Sequence, residues 1–555
     1  MMSIDQPVAA LFLCIAGGHL IGRLRIGPVQ LGGICGTLFV ALALGQLGIT
    51  VSDDLKNTAF ALFIFALGFT AGPQFFVNIR SGWRYGIFSL IEVITVLALV
   101  AVAVALFRFD AGTAAGLFAG SATESAVLGT AAEAISGLGI SDVEAARLEA
   151  NLVTAYSVTY IFGLVAIVVF VTQIAPLLLK IDLQEEARKL GKKLGSDDDD
   201  AHEPGLPSLV GRAFRAGPVA GSTVGSFENS RRNVVTIERL KRGPDIIVAK
   251  RDTMIEADDI LFVLGRRNAI ISAQDKLGDE LPVPSDANVP MTSINVVLVL
   301  KEAFGLTVSQ LRKAADRDLR RGVFISKIQR LDHSIPVLPG TKLQQGDVLT
   351  LYGTEAAVTA ASAKLGHTLP PTDQADFIFL GVGIVTGLLI GSLSYRAGAF
   401  DITLGAGGGA LVAGLVFGWL HIHFPSHGTI PVPAAEFMKD FGLATFIAAI
   451  GLSAGPDAIR LVAEYGLLLP VLGVLVSAIP AAVSLFVGWK IMRIEAPILL
   501  GAIAGQHCST PTITALVSQS KSSIPVIGYT VTYAISNVLL PLMGPVVVGT
   551  ATALQ

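Results

Sequence analysis

The sequence predicts a polytopic α-helical membrane protein made of two inverted repeats, with a central pair of small α/β domains between them. Three observations carry that prediction. The chain has 555 residues, is 52% hydrophobic and only 15% charged, with a mean hydropathy of +0.66, whereas a soluble protein carries about 25% charge. Its charges are segregated: residues 181–374 hold 26 basic and 26 acidic side chains, and the other 361 residues share 31. Finally, the apolar segments before and after that block resemble each other in order. A cytosolic or secreted enzyme is excluded by the first point, and a net charge of −3 gives no electrostatic reason to expect a nucleic-acid partner.

Six apolar segments precede the charged block, at about 8–24, 29–49, 57–76, 84–107, 111–137 and 150–180. Six follow it, at about 375–395, 403–421, 435–457, 464–489, 496–520 and 523–551. Ala-Leu-Gly-Phe-Thr-Ala-Gly-Pro from Ala66 matches Ala-Ile-Gly-Leu-Ser-Ala-Gly-Pro from Ala449. Tyr-Ser-Val-Thr-Tyr (156–160) matches Tyr-Thr-Val-Thr-Tyr (529–533). The segment after Cys35 matches that from Gly409, and 119–125 lies where 504–510 lies. The domains expected are therefore 1–180 (first membrane repeat), 181–206 (linker), 207–290 and 291–370 (two α/β units) and 371–555 (second membrane repeat). The first residues lack a basic region ahead of the apolar run, so the start reads as a retained first helix.

Loop charge sets an orientation. Arg23 and Arg25, Arg80 and Arg84, and the 188–193 stretch are basic, whereas Asp53–Asp54 and the 142–149 loop are acidic. Basic loops inside place the N-terminus outside, and both ends of segment five then lie on one side. That segment is expected to dip in and return. Five crossings plus one re-entrant hairpin per half invert the second repeat. Arg396 and Arg460 fit this scheme less well than Lys490, Arg493 and Lys521.

The central block repeats internally, residues 252–278 aligning without gaps with 340–366. Each unit reads as alternating strands, an acidic turn (Asp258–Asp259 or Gly346–Asp347), a buried strand ending at Gly265 or Gly353, and a helix. Residues 194–207, with four consecutive aspartates, read as an acidic disordered linker. The three cysteines, Cys14, Cys35 and Cys508, offer no disulfide framework or zinc spacing, and no cofactor or metal site is expected.

Candidate chemistry concentrates at two places in each half. Thr70, Gly72 and Pro73, and Ser453, Gly455 and Pro456, lie in motifs expected to break or kink their helices; broken backbone at membrane depth lines cavities. The competing reading is a Gly-rich packing face. The hairpin tips carry Ser121, Thr123, Glu124 and Ser125, and Gln506, His507, Cys508, Ser509, Thr510 and Thr512. Paired half-helix N-termini there suit a carboxylate, although such hydroxyls also bond to backbone in any packed bundle. Glu124, an acid in an apolar hairpin, is a functional candidate by default: a partner for a substrate ammonium, a coupling-ion ligand, or a protonated donor. Tyr156 and Tyr529, each four residues before another tyrosine, share a helix face with it and can line the site.

With the paired Gly-x-[Thr/Ser]-Ala-Gly-Pro motifs in view, the chain resembles the aspartate:alanine exchanger family of bacterial transporters over nearly its full length. The central units resemble the C-terminal regulatory domain of potassium-uptake regulators (RCK_C-like), with Gly346–Gly353 carrying that signature. In the first unit Ala257-Asp258 replaces Gly-Asp. The resemblance implies an elevator-type homodimer in the bacterial inner membrane, its central domains cytoplasmic, exchanging small carboxylates or amino acids such as aspartate, alanine or dicarboxylates. It also implies a small-molecule regulator at Asp258, Gly265, Asp347 and Gly353. A gated ion channel, or a transporter-derived sensor, are the alternatives.

Overall fold

The computed structural model describes residues 6–26, 29–30, 32–49, 51–81, 83–194, 209–231, 235–282, 291–315, 321–330, 333–368, 375–397, 400–403, 405–423 and 430–555. The expected linker therefore falls largely outside the described residues, as does 283–290, where the two α/β units join. The chain divides into a helical unit holding residues 1–190 and 371–555 and a mixed unit holding 191–330 and 334–370.

Among the described residues the helical unit runs through seven helices twice, and a further helix, Leu183–Lys193, begins after the first set. The first set is α1 (Gln6–Ile21), α2 (Gly33–Gly45), α3 (Asp53–Ser81), α4 (Trp83–Phe107), α5 (Ala111–Ser121), α6 (Ala126–Ser136) and α7 (Asp142–Leu179, with a π turn at Phe170–Ile174). The second is α8 (Phe377–Gly391), α9 (Gly405–His423), α10 (Val432–Tyr465), α11 (Leu468–Ile491, ending in a π turn), α12 (Ala496–Gln506), α13 (Thr510–Ser520) and α14 (Pro525–Leu554, with a 3₁₀ turn at Pro541–Met543). Each half opens with two short helices separated by a small β-hairpin, Arg25–Gln30 in one and Ser394–Thr403 in the other. Among the described residues six helices are long and apolar enough to cross a membrane: α3, α4, α7, α10, α11 and α14.

The four 11-residue pieces α5, α6, α12 and α13 span only about 16 Å each, roughly half a hydrocarbon core. They form helical hairpins. Asp110 caps the start of α5, accepting from Thr113 N at 2.7 Å, and also accepts from Asn151 at 2.6 Å. Ser136, at the end of α6, donates to Glu149 at 3.1 Å. Both ends of the hairpin thus meet one short stretch of α7, and its bend lies further along, at Tyr156.

Glycine spacing permits this. Gly112, Gly116 and Gly120 lie four apart on α5, and a Cβ on any of them would collide with α7, at Leu148 O, Leu152 O and Thr159 Oγ1 respectively. In the second half Gly501 and Gly505 press on Pro525 O and Thr532 Oγ1 of α14 in the same manner. Small residues at this spacing let helix backbones approach closely, the association mode available without a hydrophobic driving force.

Neither Gly-Pro motif breaks its helix. Both helices continue through them: α3 contains Pro73 and runs to Ser81, and α10 runs through Pro456 to Tyr465. The reason is visible in the neighbouring helix. A proline frees the carbonyl four residues back; for Pro73 that is Phe69 O and for Pro456 it is Leu452 O. Gly418 of α9 lies directly over Phe69 O, and Gly45 of α2 lies over Leu452 O. The orphaned carbonyls are covered by Cα atoms with room for no side chain, a close approach of the kind that Cα–H···O contacts make. Each half's second helix thereby covers the other half's third, and the motif is an inter-repeat packing device.

The mixed unit contains two five-stranded sheets of one design. With strands β1 (Leu209–Arg215), β2 (Val235–Arg242), β3 (Asp245–Val248), β4 (Ile260–Arg266), β5 (Glu280–Leu281), β6 (Met291–Leu298), β7 (Val323–Arg330), β8 (His333–Ile335), β9 (Val348–Thr354) and β10 (Gly366–Thr368), the orders are β3-β2-β4-β1-β5 and β8-β7-β9-β6-β10. Even the register shift recurs, at Glu238 in β2 and at Ser326 in β7.

Candidate functional site

The two hairpin bends come together. Thr123 Oγ1 of the first donates to the His507 carbonyl of the second, and the Glu124 carboxyl has the Cys508 thiol as its side-chain partner. Both bends are built alike: Thr123 and Cys508 occupy equivalent positions and both adopt positive φ, 53° and 50°. Two residues beyond each stands a hydroxyl facing a tyrosine of the long helix that follows. Ser125 Oγ lies 2.6 Å from Tyr156 OH, and Thr510 Oγ1 lies 3.3 Å from Tyr529 OH. The Tyr529 and Tyr533 rings stack at 5.0 Å and the Tyr156 and Tyr160 rings meet tilted at 5.3 Å, contacts that their four-residue spacing permits.

Burial sorts the candidates. Ser125 and Cys508 are half-buried and Thr510 is exposed, so these atoms can be reached from outside. Tyr156 and Tyr529 are buried up to their hydroxyls. Glu124 is 5% exposed; one oxygen accepts from Ala126 N at 3.0 Å, capping α6. It also lies within electrostatic reach of both Tyr156 and Tyr529. The remaining tip residues support the bend. Ser509 caps α13, accepting from Thr512 N at 3.4 Å, with Thr512 Oγ1 2.6 Å away. Ser121 contributes its carbonyl to Ser477 Oγ of α11 at 2.6 Å. Gln506 Nε2 donates to Glu92 Oε2 at 2.8 Å, and His507 lies fully buried between Ser477 O (3.0 Å) and Ile503 O (3.3 Å).

Sequence reasoning passed over Glu92. It sits in α4, fully buried, and holds the second tip from behind. The signal was available: a lone carboxylate inside Ile-Phe-Ser-Leu-Ile-Glu-Val-Ile-Thr-Val-Leu meets the same rule that marked Glu124. The Thr70 and Ser453 hydroxyls each bond back to their own helix, to Ala66 O at 3.0 Å and Ala449 O at 3.1 Å. Gly72 packs on Leu415 and Gly455 on Gly45. Pro73 and Pro456 continue their helices as described above, and Pro456's side chain lies outside the described residues.

In the mixed unit the residues proposed as regulatory have structural duties. Asp258 holds φ 71° where Gly346 holds 80°, so it is the turn residue. The true counterpart of Asp347 is Asp259. Asp259 accepts from Arg242 Nε and Nη2 at 3.0 and 2.8 Å and from Glu256 N at 2.8 Å. Asp347 accepts from Arg330 at 2.7 and 2.7 Å and from Gln344 N at 2.8 Å. Burial pushes the Asp259 carboxyl up, but the Arg242 guanidinium and the Glu256 amide outweigh it and hold the group below the usual aspartate range. Gly353 is small because the Gly322 carbonyl lies against it; Gly265 closes β4 at the matching position.

The comparisons agree with this two-fold plan. A family model described as "Predicted Permease Membrane Region", that of the aspartate–alanine exchangers, matches residues 10–176 and again 379–549, once in each half. A protein of Zymomonas mobilis described as an uncharacterized transporter is 35% identical over 98% of this chain and 97% of its own length. Proteins with the same description from Bordetella parapertussis and Bradyrhizobium diazoefficiens are 37% and 34% identical, over 99% and 98% of this chain and 98% and 97% of theirs. No solved structure matches. With one copy of the permease region in each half and relatives spanning the whole chain, the protein belongs to the aspartate–alanine exchanger family of membrane transporters.

Proposed function

We propose that the protein exchanges small amino acids or carboxylates of the aspartate/alanine type across the bacterial cytoplasmic membrane, with the substrate held between the two hairpin tips. The observation that carries this reading is the meeting of the bends, where reachable hydroxyls from both halves stand beside one carboxylate. The tip segments 119–126 and 504–512 contain no Lys or Arg. A substrate carboxylate would then rely on the Ser125 and Thr510 hydroxyls, with the tyrosine hydroxyls behind them, because the first-turn N–H groups of α6 are already taken by Glu124 and Ser125. Glu124 is placed for a substrate ammonium. A carboxyl on one side and hydroxyls on the other favour a zwitterion over a plain dicarboxylate.

The same reading makes the two halves inverted repeats that work as an elevator within a homodimer, with the mixed unit as a cytoplasmic, RCK_C-like regulator open to a small-molecule ligand. The test is uptake of labelled aspartate by the purified protein in liposomes loaded with aspartate, alanine, succinate or buffer. Uptake that needs an internal amino acid supports exchange. Uptake into buffer-loaded vesicles at the same rate supports a conductance instead. A folded protein that binds aspartate without flux would be a sensor.

A further inference from the structure

A second polar cluster lies behind the second tip, where Glu92 meets Gln506 and His507. Glu92 is fully buried. Its Oε2 accepts from Gln506 at 2.8 Å, while its Oε1 has no hydrogen-bond donor. The nearest basic atom is His507 Nε2, at 3.4 Å. That imidazole is surrounded by acceptors alone: Nδ1 faces Ile503 O at 3.3 Å, and Nε2 faces both Ser477 O at 3.0 Å and Glu92 Oε1. A neutral imidazole owns one N–H. Both ring nitrogens face oxygen, so with Glu92 ionised and His507 neutral one nitrogen meets its oxygen neighbour with no proton between them.

No other charge repairs this. Of the helices packed on α4, α5, α12 and α14 contain no Lys, Arg, Asp or Glu, and α11 contains only Lys490, near its end. α3 carries Asp53, Asp54 and Lys56 at its start, where Lys56 pairs with Asp53 and Glu149, and Arg80 at its end. On α4 itself Arg84 lies about two turns before Glu92 and donates to Met492 O at 3.4 Å. The remaining titratable groups near the tip are Cys508, Glu124, Tyr529 and Tyr533, none of them a cation.

We propose that Glu92 and His507 form a proton-binding site, and that the second hairpin tip seats on α4 with that proton in place. One H⁺ from water adds to the pair, on Glu92 Oε1 or on the imidazole, and no electrons move. Either placement leaves zero net charge, and losing the proton leaves an uncompensated anion in an apolar interior, which is disfavoured. The proposal rests on the transporter reading, because a moving or re-seating tip is what would make the proton part of a cycle.

The test is equilibrium exchange of labelled aspartate in proteoliposomes, with equal pH on both sides, from about pH 5 to about pH 8. Wild type is expected to change rate by about fivefold or more across that range, and Glu92→Gln by less than about twofold. The same profile in both proteins overturns the proposal. If wild type exchanges nothing at any pH, the transport reading fails, and thermal unfolding of the detergent-solubilised protein decides the proton site alone. A proton held in the folded state and released on unfolding makes stability fall as pH rises. Glu92→Gln should flatten that slope, and an unchanged slope refutes the site.

Discussion

The two hairpin tips share a backbone and differ in chemistry. Position for position, Ser121, Ala122, Thr123, Glu124 and Ser125 of the first stand where Gln506, His507, Cys508, Ser509 and Thr510 stand in the second. The features kept are those that make the shape: a positive-φ residue at 123 and 508, a glycine pressed on a threonine at 120 and 505, and a hydroxyl facing a tyrosine at 125 and 510. The features that differ are charge and protonation. The first tip carries the carboxylate near the reachable surface, and the second carries the imidazole against Glu92 behind it. A duplicated scaffold thus brings unlike groups together where the bends meet, and on the proposed reading those unlike walls suit a zwitterionic substrate better than a symmetric anion.

The largest effect should come from removing that asymmetry. Glu124→Gln is expected to weaken binding of an amino-acid substrate by roughly 100-fold or more, since truncating one partner of a desolvated charge pair costs about 2–5 kcal/mol. Succinate binding should change far less. Equal losses for alanine and succinate, measured by calorimetry, would mean that Glu124 serves the fold of the bend. Next come the shared parts. Gly120→Ala and Gly505→Ala each force a Cβ into a threonine hydroxyl and the neighbouring backbone, and overpacking of this kind costs about 1–3 kcal/mol. Both variants should lower the thermal midpoint by similar amounts, and a large difference between them would break the equivalence of the hairpins.

Smaller still are the hydroxyl pairs. Tyr156→Phe and Tyr529→Phe each remove one hydrogen bond worth about 0.5–1.5 kcal/mol, with the larger effect expected at Tyr156, whose bond is 2.6 Å against 3.3 Å. Substrate affinity of the two variants, side by side, checks the order. An effect of similar size is expected in the mixed unit, where Arg242–Asp259 is partly exposed at the arginine and Arg330–Asp347 is buried on both sides. The Asp259 carboxyl lies below its unfolded value, so its contribution is fully present above about pH 4 and fades as pH falls through the lower folded value. Asp259→Asn should cost about 1 kcal/mol at neutral pH and lose that part of the acid dependence, read by unfolding of the intact chain at a series of pH values.

The repetition of elements was legible because it leaves local marks: matched motifs, glycines at four-residue spacing and tyrosines on one face. Glu124 and the tip hydroxyls stood out as polar groups in apolar surroundings. What escaped depended on partners distant in sequence. Pro73 reads as a helix breaker until Gly418 is found covering Phe69 O, a contact that no periodicity announces. Glu92 was legible as a lone carboxylate in an apolar helix, but its partner Gln506 lies 414 residues away. Asp258 and Asp259 are adjacent acids in one turn, and only the backbone, left-handed at the first, tells the turn former from the buried ligand of Arg242.

The measurement that bears most directly on a shared pocket uses Cys508, which is half-buried at the tips while Cys14 and Cys35 are buried. The rate of maleimide labelling at Cys508 would be followed with and without aspartate, in wild type and in Ser125→Ala, whose altered residue lies on the other tip. One pocket between two tips predicts that aspartate slows labelling in wild type and protects markedly less in Ser125→Ala. Labelling that aspartate leaves unchanged in wild type, or protection undiminished in Ser125→Ala, would contradict it.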